Sequence, residues 1–567
     1  MKQTPENIYH IYVPSFCEQQ QQGTPHKGIG TLAGIASKVP YIADLGASVV
    51  WLSPFFVSPR LDGGYDIADH KRIDPQFGND SDFDALTNTL SSRNMQVMID
   101  IVPNHTSDAH AWFAASSDPL HPRHQEFHSY YIWKDPAPGS TPSKPLPPNN
   151  WASVFSKSQV ERRLTGELQV APGEYTPPLS AWHFHPKRGQ FYLASFSPHQ
   201  PDLNLLNGVV RNEVQSIVTH WYDRGVQFFR WDAVPYVGKD PYFRDEKPNP
   251  AYQEDQQGRP LAPYDNPYDQ LLRENSSGHW PSLPMKLNDL IPHDRGRHIL
   301  EAYLPAAELR TLDAVMPKNT SVFNFSGLDA AWHGRTRSAV LADYHAHLPA
   351  DKSPNQVQGN HDKPYIATRI GQRAARASAV VQLTLPGDSY IYNGEEGGFI
   401  DDVVPKHLRQ DPLGGRDGCR TPMLWNATAS AGFSEADAAR FWLPLSPHAE
   451  ALNIADQAND PYSMFNLYKR LLAMRTSVQE LRIGAFVPLY SDSDACLAFA
   501  RRTTHSQLIT IANTSAAPRT TRIRGAHQHT GRVVLSSRGK RGTPGALVDL
   551  EHLILQADEA IVVAPGS

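Results

Sequence analysis

Residues 226 to 237 read VQFFRWDAVPYV, an apolar run of strand-like composition with Arg230 and Asp232 two positions apart. Alternation puts both on one face of a strand. Burying an isolated charge is costly, and even a buried pair is weak support for a fold. Other strand-like runs carry polar groups at the same end. Asp100, Asn104 and His105 lie in NMQVMIDIVPNH, Glu301 in RHILEAYLP, and Asn360, His361 and Asp362 in NQVQGNHD. A single Asp at a strand end is ordinarily structural. Its recurrence across four strands reverses that reading and makes Asp232, Glu301 and Asp362 candidates for one cleft. Carboxylates facing each other in a polar cleft suit glycosidic-bond chemistry: one attacks the anomeric carbon, and another, its pKa raised, protonates the leaving oxygen. Arg230, on the same face as Asp232, is expected to hold that carboxylate ionised and oriented.

The elements that must position these groups follow from the apolar runs. NIYHIYVPSF, SVVWLSPFF, NMQVMIDIVPNH, VQFFRWDAV, RHILEAYLP, TSVFNFS, NQVQGNHD and DSYIYNGEE have the length and composition of strands buried on both faces. Amphipathic segments such as GTLAGIASKVPYIADLG, SDFDALTNTLSSRN and NEVQSIVTHWYDRG lie between them, with Gly46 and Gly225 placed as helix C-caps. Eight strands alternating with helices predict a parallel (β/α)8 TIM barrel, in which function gathers at the C-terminal strand ends. Residues 1–105 and 199–477 are read as the two parts of that barrel. Residues 106–198, with the Pro-rich stretch DPAPGSTPSKPLPPNNW, are too long for a loop and are read as an inserted small domain. Shorter excursions are expected at 235–296 and 397–430. From 478 short alternating runs (DACLAFARR, QLITIANT, RVVLSS, EAIVVAP) predict a C-terminal antiparallel β-domain.

Composition narrows the functional class. A net charge of −5 over 567 residues, with no basic stripe or tail, argues against a nucleic-acid partner. No apolar run is long enough to span a membrane, and the first residues lack a signal-peptide core, so a cytoplasmic location is expected. Three distant cysteines, Cys17, Cys419 and Cys496, make neither a disulfide framework nor a zinc spacing. Abundant Trp, Tyr and Phe fit carbohydrate stacking as well as they fit a large core.

Taken as a set, DIVPNH (100–105), FRWDAV (229–234), ILEAYLP (299–305) and QGNHD (358–362), with QPDLN (200–204) and GRDGCRTPMLW (415–425), resemble the motifs of the α-amylase family of glycoside hydrolases. The likeness is to its exo-acting α-glucosidase and oligo-1,6-glucosidase branch, over about residues 8 to 560. It implies Asp232 as nucleophile, Glu301 as general acid/base and Asp362 as the third carboxylate gripping sugar hydroxyls. It further implies His105 and His361 on hydroxyls of the first sugar and Tyr65 stacked under it. Asp62 would pair with Arg416 over its far end. Such a pair closes the pocket, so exo action on small α-glucosides or oligosaccharides is implied, with no cofactor. The alternatives are a trehalose synthase, which DAVPY also resembles, and a non-catalytic relative serving as a binding subunit. Transglucosylation is an expected side activity of a retaining enzyme.

Departures from that pattern carry their own expectations. Where relatives often have an Asp/Asn-rich metal loop, this chain reads GTPHKGIGT (23–31), with Gly23, Pro25, Lys27 and Thr31 in place of oxygen ligands. No metal is expected there. Either Lys27 supplies the ion's charge or the loop never needed one. Phe228 implies altered packing behind the nucleophile, and Tyr365 an altered pocket entrance. Ala233, immediately after the nucleophile, leans toward α-1,4 over α-1,6 linkages, a preference worth only about 1–3 kcal/mol.

Overall fold

The computed structural model describes residues 5–20, 27–156, 178–248, 250, 287–302, 306–313, 316–411, 415–539 and 544–565. Gly23 and Pro25 of the predicted loop, residues 303–305 after Glu301, and most of the excursion at 235–296 lie outside them.

Eight strands appear in the predicted order: β1 (Asn7–Ile11), β2 (Val49–Leu52), β3 (Gln96–Ile101), β4 (Val226–Trp231), β5 (Arg297–Leu300), β6 (Thr320–Val322), β7 (Asn355–Val357) and β8 (Asp388–Tyr392). They form one sheet in the order β6-β5-β4-β3-β2-β1-β8-β7, and every neighbouring pair is parallel. The sheet nearly closes on itself. Across the β6/β7 seam, the Asn324 amide donates to the Asn355 carbonyl at 3.2 Å and the Asn355 side chain donates to the Val322 carbonyl at 3.0 Å. This is the expected TIM barrel.

Alternation along the strands fills the barrel interior with Ile8, Val49, Trp51, Met98, Phe228, Ile299, Phe323, Val357 and Tyr390. Phe228 belongs to this layer, two residues before Arg230 and therefore on the same inward face. The expectation of special packing at Phe228 thus resolves into a barrel-filling ring with the Arg297 guanidinium 4.8 Å above it.

The helices cover the outer face, and their caps follow the sequence. α1 (Leu32–Leu45) starts at Thr31, whose side chain accepts from the Gly34 amide, and ends at Gly46 with φ of 104°. Thr31 is therefore a cap rather than a vacated metal ligand. Lys27 is exposed. The backbone amides of Lys27 and Gly28, at 2.6 and 2.9 Å, bind the Glu18 carboxylate instead. It is the main chain of Lys27 that, among the described residues, meets the local carboxylate. Among the described residues no cluster of three or more His, Cys, Asp or Glu is placed to hold a metal ion, and no helix is long and apolar enough to cross a membrane.

After β3 the chain leaves the barrel. A helix (Ala111–Ser117) leads to a three-stranded antiparallel sheet of Trp133–Lys134, Gln190–Leu193 and Trp182–His185. Its core is Ile132, Trp151, Ala181, Trp182, Phe191 and Leu193. The chain re-enters the barrel through α2 (Gly208–Asp223), capped by Asn207.

At the C-terminal end, β9 (Ala485–Ser491), β10 (Cys496–Arg502), β11 (Gln507–Asn513), β12 (Thr530–Ser536) and β13 (Ala560–Pro565) build an antiparallel sheet. Arg501 of β10 ties it to the barrel, donating to the Thr384 carbonyl at 3.0 Å, beside Arg475 of the barrel helix Met464–Ser477, which donates to the carbonyls of Leu383 and Leu385 at 3.1 and 3.0 Å. These are the terminal carbonyls of α3 (Gln372–Thr384), which lack partners within the helix and sit at its negative end.

Candidate active site

The residue after each strand lands on the barrel rim because the ladder runs one step further: Asp232 N donates to Ile101 O, and Glu301 N to Trp231 O, both at 2.9 Å. There one guanidinium meets three carboxylates. Arg230 Nη1 lies 2.9 Å from Asp100 and 2.5 Å from Asp232, and Nη2 lies 2.6 Å from Glu301. The second oxygen of Asp100 accepts from Trp51 Nε1 at 3.1 Å. The charges that look misplaced in VQFFRWDAV thus share one buried network.

One positive charge is shared by three buried carboxylates. Burial lifts Asp100 to about 7 despite Arg230. Asp232 is raised well above the usual carboxylate range, first by burial and then by Glu301 and Asp100, against the pull of Arg230. The sequence expectation was that Arg230 holds Asp232 ionised and oriented. The 2.5 Å contact supplies the orientation, while burial and the neighbouring carboxylates work against ionisation.

Ala233 turns the chain away from the strand in the left-handed region, φ 50° and ψ 34°, which aims its amide at Glu301 Oε2, 3.2 Å away. A small residue suits this conformation better than a β-branched one.

The other half of the rim is held by two arginines. Asp362 Oδ1 receives Arg416 Nη1 and Arg420 Nη2, each at 2.8 Å, and its amide donates to Asn360 Oδ1. Burial alone would raise Asp362; His361, Arg416 and Arg420 hold it well below the usual range instead. Arg416 Nη2 also reaches Asp62 at 2.9 Å, the pairing expected from the sequence. Gln200 of QPDLN donates to the second Asp62 oxygen at 3.1 Å and lies 3.1 Å from His105 Nε2. Tyr65 and His361 are stacked, centroids 5.4 Å apart and 4° from parallel. The Arg230 guanidinium lies 5.6 Å from the Tyr65 ring. All nine residues expected at the site therefore form one connected cluster.

Several polar atoms in this cluster are buried without a hydrogen-bond partner among the described residues: Tyr65 Oη, His361 Nδ1, Gln200 Oε1 and Arg230 Nε; His361 Nε2 lies 3.4 Å from Asp362 Oδ2. Unmet buried groups are costly, and their convergence marks a place for a ligand rich in hydroxyls. Burial lowers His361 to about 3 and His105 to about 4. Both are neutral imidazoles at neutral pH, able to donate or accept without adding charge.

Sequence reasoning missed a supporting layer. Lys239 is buried, with Nζ 2.9 Å from Asp202 and 2.8 Å from Asn104 Oδ1, and Asp202 also accepts from the Ser195 amide and the Asn104 side chain. This network joins the loops after β3 and β4 to the end of the inserted segment. A lysine in the otherwise apolar VPYVGK was its sequence signal. Arg420 and Asp411 were missed because one lies in a single short helical turn and the other in a loop, neither long enough to show periodicity.

Tyr365 was expected at the pocket entrance. It is instead buried behind β8, its hydroxyl donating to the Asn393 carbonyl at 3.0 Å and its ring stacked on Tyr392. Nearby, the Glu395 carboxyl lies directly against Gly359, where any Cβ would overlap it; this is why QGNHD carries a glycine. Burial pushes Glu395 from its ordinary 4.5 to about 8. The folded state therefore binds more protons than the unfolded one between those values. The stability Glu395 contributes is complete below pH 4.5 and is lost as pH rises to about 8. Glu395→Gln, uncharged throughout, is expected to raise Tm relative to wild type at pH 8 and to change it little at pH 4.5. A Tm difference independent of pH would contradict this account.

Comparison with known proteins agrees with this geometry. Residues 10–276 and 317–484 match the family model described as alpha amylase, catalytic domain. Maltase 1 of Drosophila virilis is 34% identical over 502 residues, covering 85% of this chain and 73% of the relative. A probable oligo-1,6-glucosidase 3 of Bacillus subtilis (strain 168) is 30% identical over 575 residues, covering 94% of each. Among solved structures, the alpha-glucosyl transfer enzyme XgtA superposes with a TM-score of 0.81 at 30% identity over 100% of both chains. A family match over most of the chain, with the barrel and the rim carboxylates in place, leads to one assignment: the chain belongs to the alpha-amylase family of glycoside hydrolases.

Proposed function

We propose that this protein is a retaining, exo-acting α-glucosidase that releases terminal α-glucose from short α-glucosides. The observation that carries the reading is the contact of Asp232 and Glu301 through the two terminal nitrogens of Arg230. Inverting enzymes hold their carboxyls about 6.5–9.5 Å apart to admit a water, whereas retaining ones bring them to about 5–5.5 Å. Two carboxylates gripped by the terminal nitrogens of one guanidinium favour the shorter, retaining spacing.

In this mechanism Asp232 attacks the anomeric carbon as Glu301 protonates the glycosidic oxygen, so the aglycone leaves and a β-glucosyl ester forms on Asp232. Glu301, now ionised, takes a proton from water, and that water displaces Asp232 to give α-glucose. Asp362, His361 and His105 bind ring hydroxyls, and Tyr65 stacks below. Asp62 and Arg416 cap the far end, which favours a terminal sugar. Ala233 leaves room that leans toward α-1,4 bonds. The likeness to an alpha-glucosyl transfer enzyme supports a companion reaction in which a sugar hydroxyl replaces water. Time-resolved proton NMR tests the proposal: p-nitrophenyl α-glucopyranoside, whose only sugar product is the cleaved glucose, should give α-glucose first, before mutarotation. Early β-glucose from that glycoside would refute retention, and an α,α-1,1 product with little free glucose from maltose would favour trehalose synthesis.

Glu301→Gln removes the acid and should lower kcat for maltose by about 10²–10⁴-fold. With a 2,4-dinitrophenyl leaving group, which departs without protonation, the first step should be largely spared, giving a burst of phenolate. Equal loss on both substrates would argue against Glu301 as the acid.

A further inference from the structure

Arg416 bonds to Asp62 and Asp362 and to neither Asp232 nor Glu301, and it does so from a segment with little regular structure. A long side chain anchored only by those two carboxylates would have several ways to reach them, and a bound sugar competes for both. The structure supplies a further anchor. Asp411, whose side chain is fully buried, turns one oxygen to Arg416 Nε at 2.9 Å and Nη2 at 2.7 Å. Its other oxygen accepts from the backbone amides of Gly415 at 3.1 Å and Arg416 at 2.9 Å. One carboxylate thus grips the guanidinium and the main chain of the same residue. The Asp411 amide in turn donates to Asp417 Oδ2 at 3.1 Å, which fastens the loop to the short helix of residues 417–420.

These charge-assisted bonds are directional. With Nε committed to Asp411, the guanidinium plane is set and Nη1 is left for Asp362. Asp62 and Asp411 share Nη2. An α-glucose with its anomeric carbon at Asp232 places its 4-hydroxyl at the opposite end of the ring, beside this arginine. We infer that Asp411 is a positioning residue that fixes Arg416 against the distal hydroxyls of the terminal glucose and so sets the selectivity for that sugar; this rests on the α-glucosidase reading above.

The test uses the full-length protein and its Asp411→Asn and Asp411→Glu variants, with p-nitrophenyl α-glucopyranoside and its 4-epimer, p-nitrophenyl α-galactopyranoside. Asparagine turns an amide donor toward other donors, whereas glutamate keeps the charge on a longer arm. Asp411→Asn should raise KM for the glucoside by about 10- to 100-fold with a much smaller change in kcat. It should also lower the preference for glucoside over galactoside about tenfold, and Asp411→Glu should recover part of both. If Asp411→Asn does not fold, Asp411→Glu carries the same comparison with a smaller shift. A lowered Tm with KM and sugar preference intact would overturn the inference and leave Asp411 a merely structural residue. A fall in kcat at unchanged KM would also overturn it. Wild-type protein that cleaves neither glycoside would overturn the α-glucosidase reading itself.

Discussion

Asp232→Asn should cut kcat for α-glucoside cleavage by at least about 10⁴-fold while leaving the protein as stable as wild type or more so at pH 7. An amide cannot form the glucosyl ester, so the loss is of the reaction path rather than of one favourable contact. The stability half of the expectation comes from the local field. Burial and two neighbouring carboxylates raise Asp232 well above the usual range. A raised carboxyl stabilises the fold fully below its unfolded pKa, and that contribution is gone once pH has passed the folded value. A neutral amide removes this dependence, and its oxygen can still accept from Arg230. Steady-state rates and thermal unfolding at pH 7 check both halves. In Asp232→Ala, added azide should occupy the vacated space, attack the anomeric carbon and give β-glucosyl azide from an activated α-glucoside. Recovery of an α-azide would contradict the role of Asp232.

Arg230→Met should do the opposite to stability. The guanidinium serves Asp100, Asp232 and Glu301 together. Its removal strands buried carboxylates whose alternative is protonation, at a cost of about 3–5 kcal/mol where they must stay ionised. Because Asp100 holds a proton up to about 7 even beside Arg230, the penalty should be small at pH 5 and large at pH 8. The Tm gap between variant and wild type should widen accordingly, and a gap equal at both values would contradict the network. Arg230→Lys restores a charge but not a planar fork that reaches three acceptors, so it should recover stability better than activity.

The barrel was legible because strands buried on both faces appear as predominantly apolar runs, and NIYHI, VVWL and QVMIDI are such runs. Asp232 and Glu301 were legible because charges stand out against them. Where a side chain's neighbours are distant in sequence, pattern gave no purchase. Tyr365 follows the QGNHD motif, and only the structure shows its ring turned to the back of β8. Lys27 sits in a loop where a cation looked useful, yet two backbone amides meet the local carboxylate. Lys239 and Asp411 make their decisive contacts across or within irregular loops, where neither 3.6- nor 2-residue spacing applies.

The Asp62–Arg416 pair joins positions 354 residues apart, and this has a consequence for the chain during its synthesis. At roughly 5–20 residues per second, the ribosome adds Arg416 roughly 20–70 seconds after Asp62. Until then the first half of the polypeptide carries Asp62 and Asp100 without a finished pocket, and Arg416 and Arg420 arrive only after all eight barrel strands have been made. A nascent chain stalled before residue 411 would own Asp232 and Glu301, the groups proposed to break the glycosidic bond, and lack the arginines that pair with Asp62 and Asp362. Glucoside turnover is therefore a property the molecule acquires late, in one step, as its last barrel loops are completed.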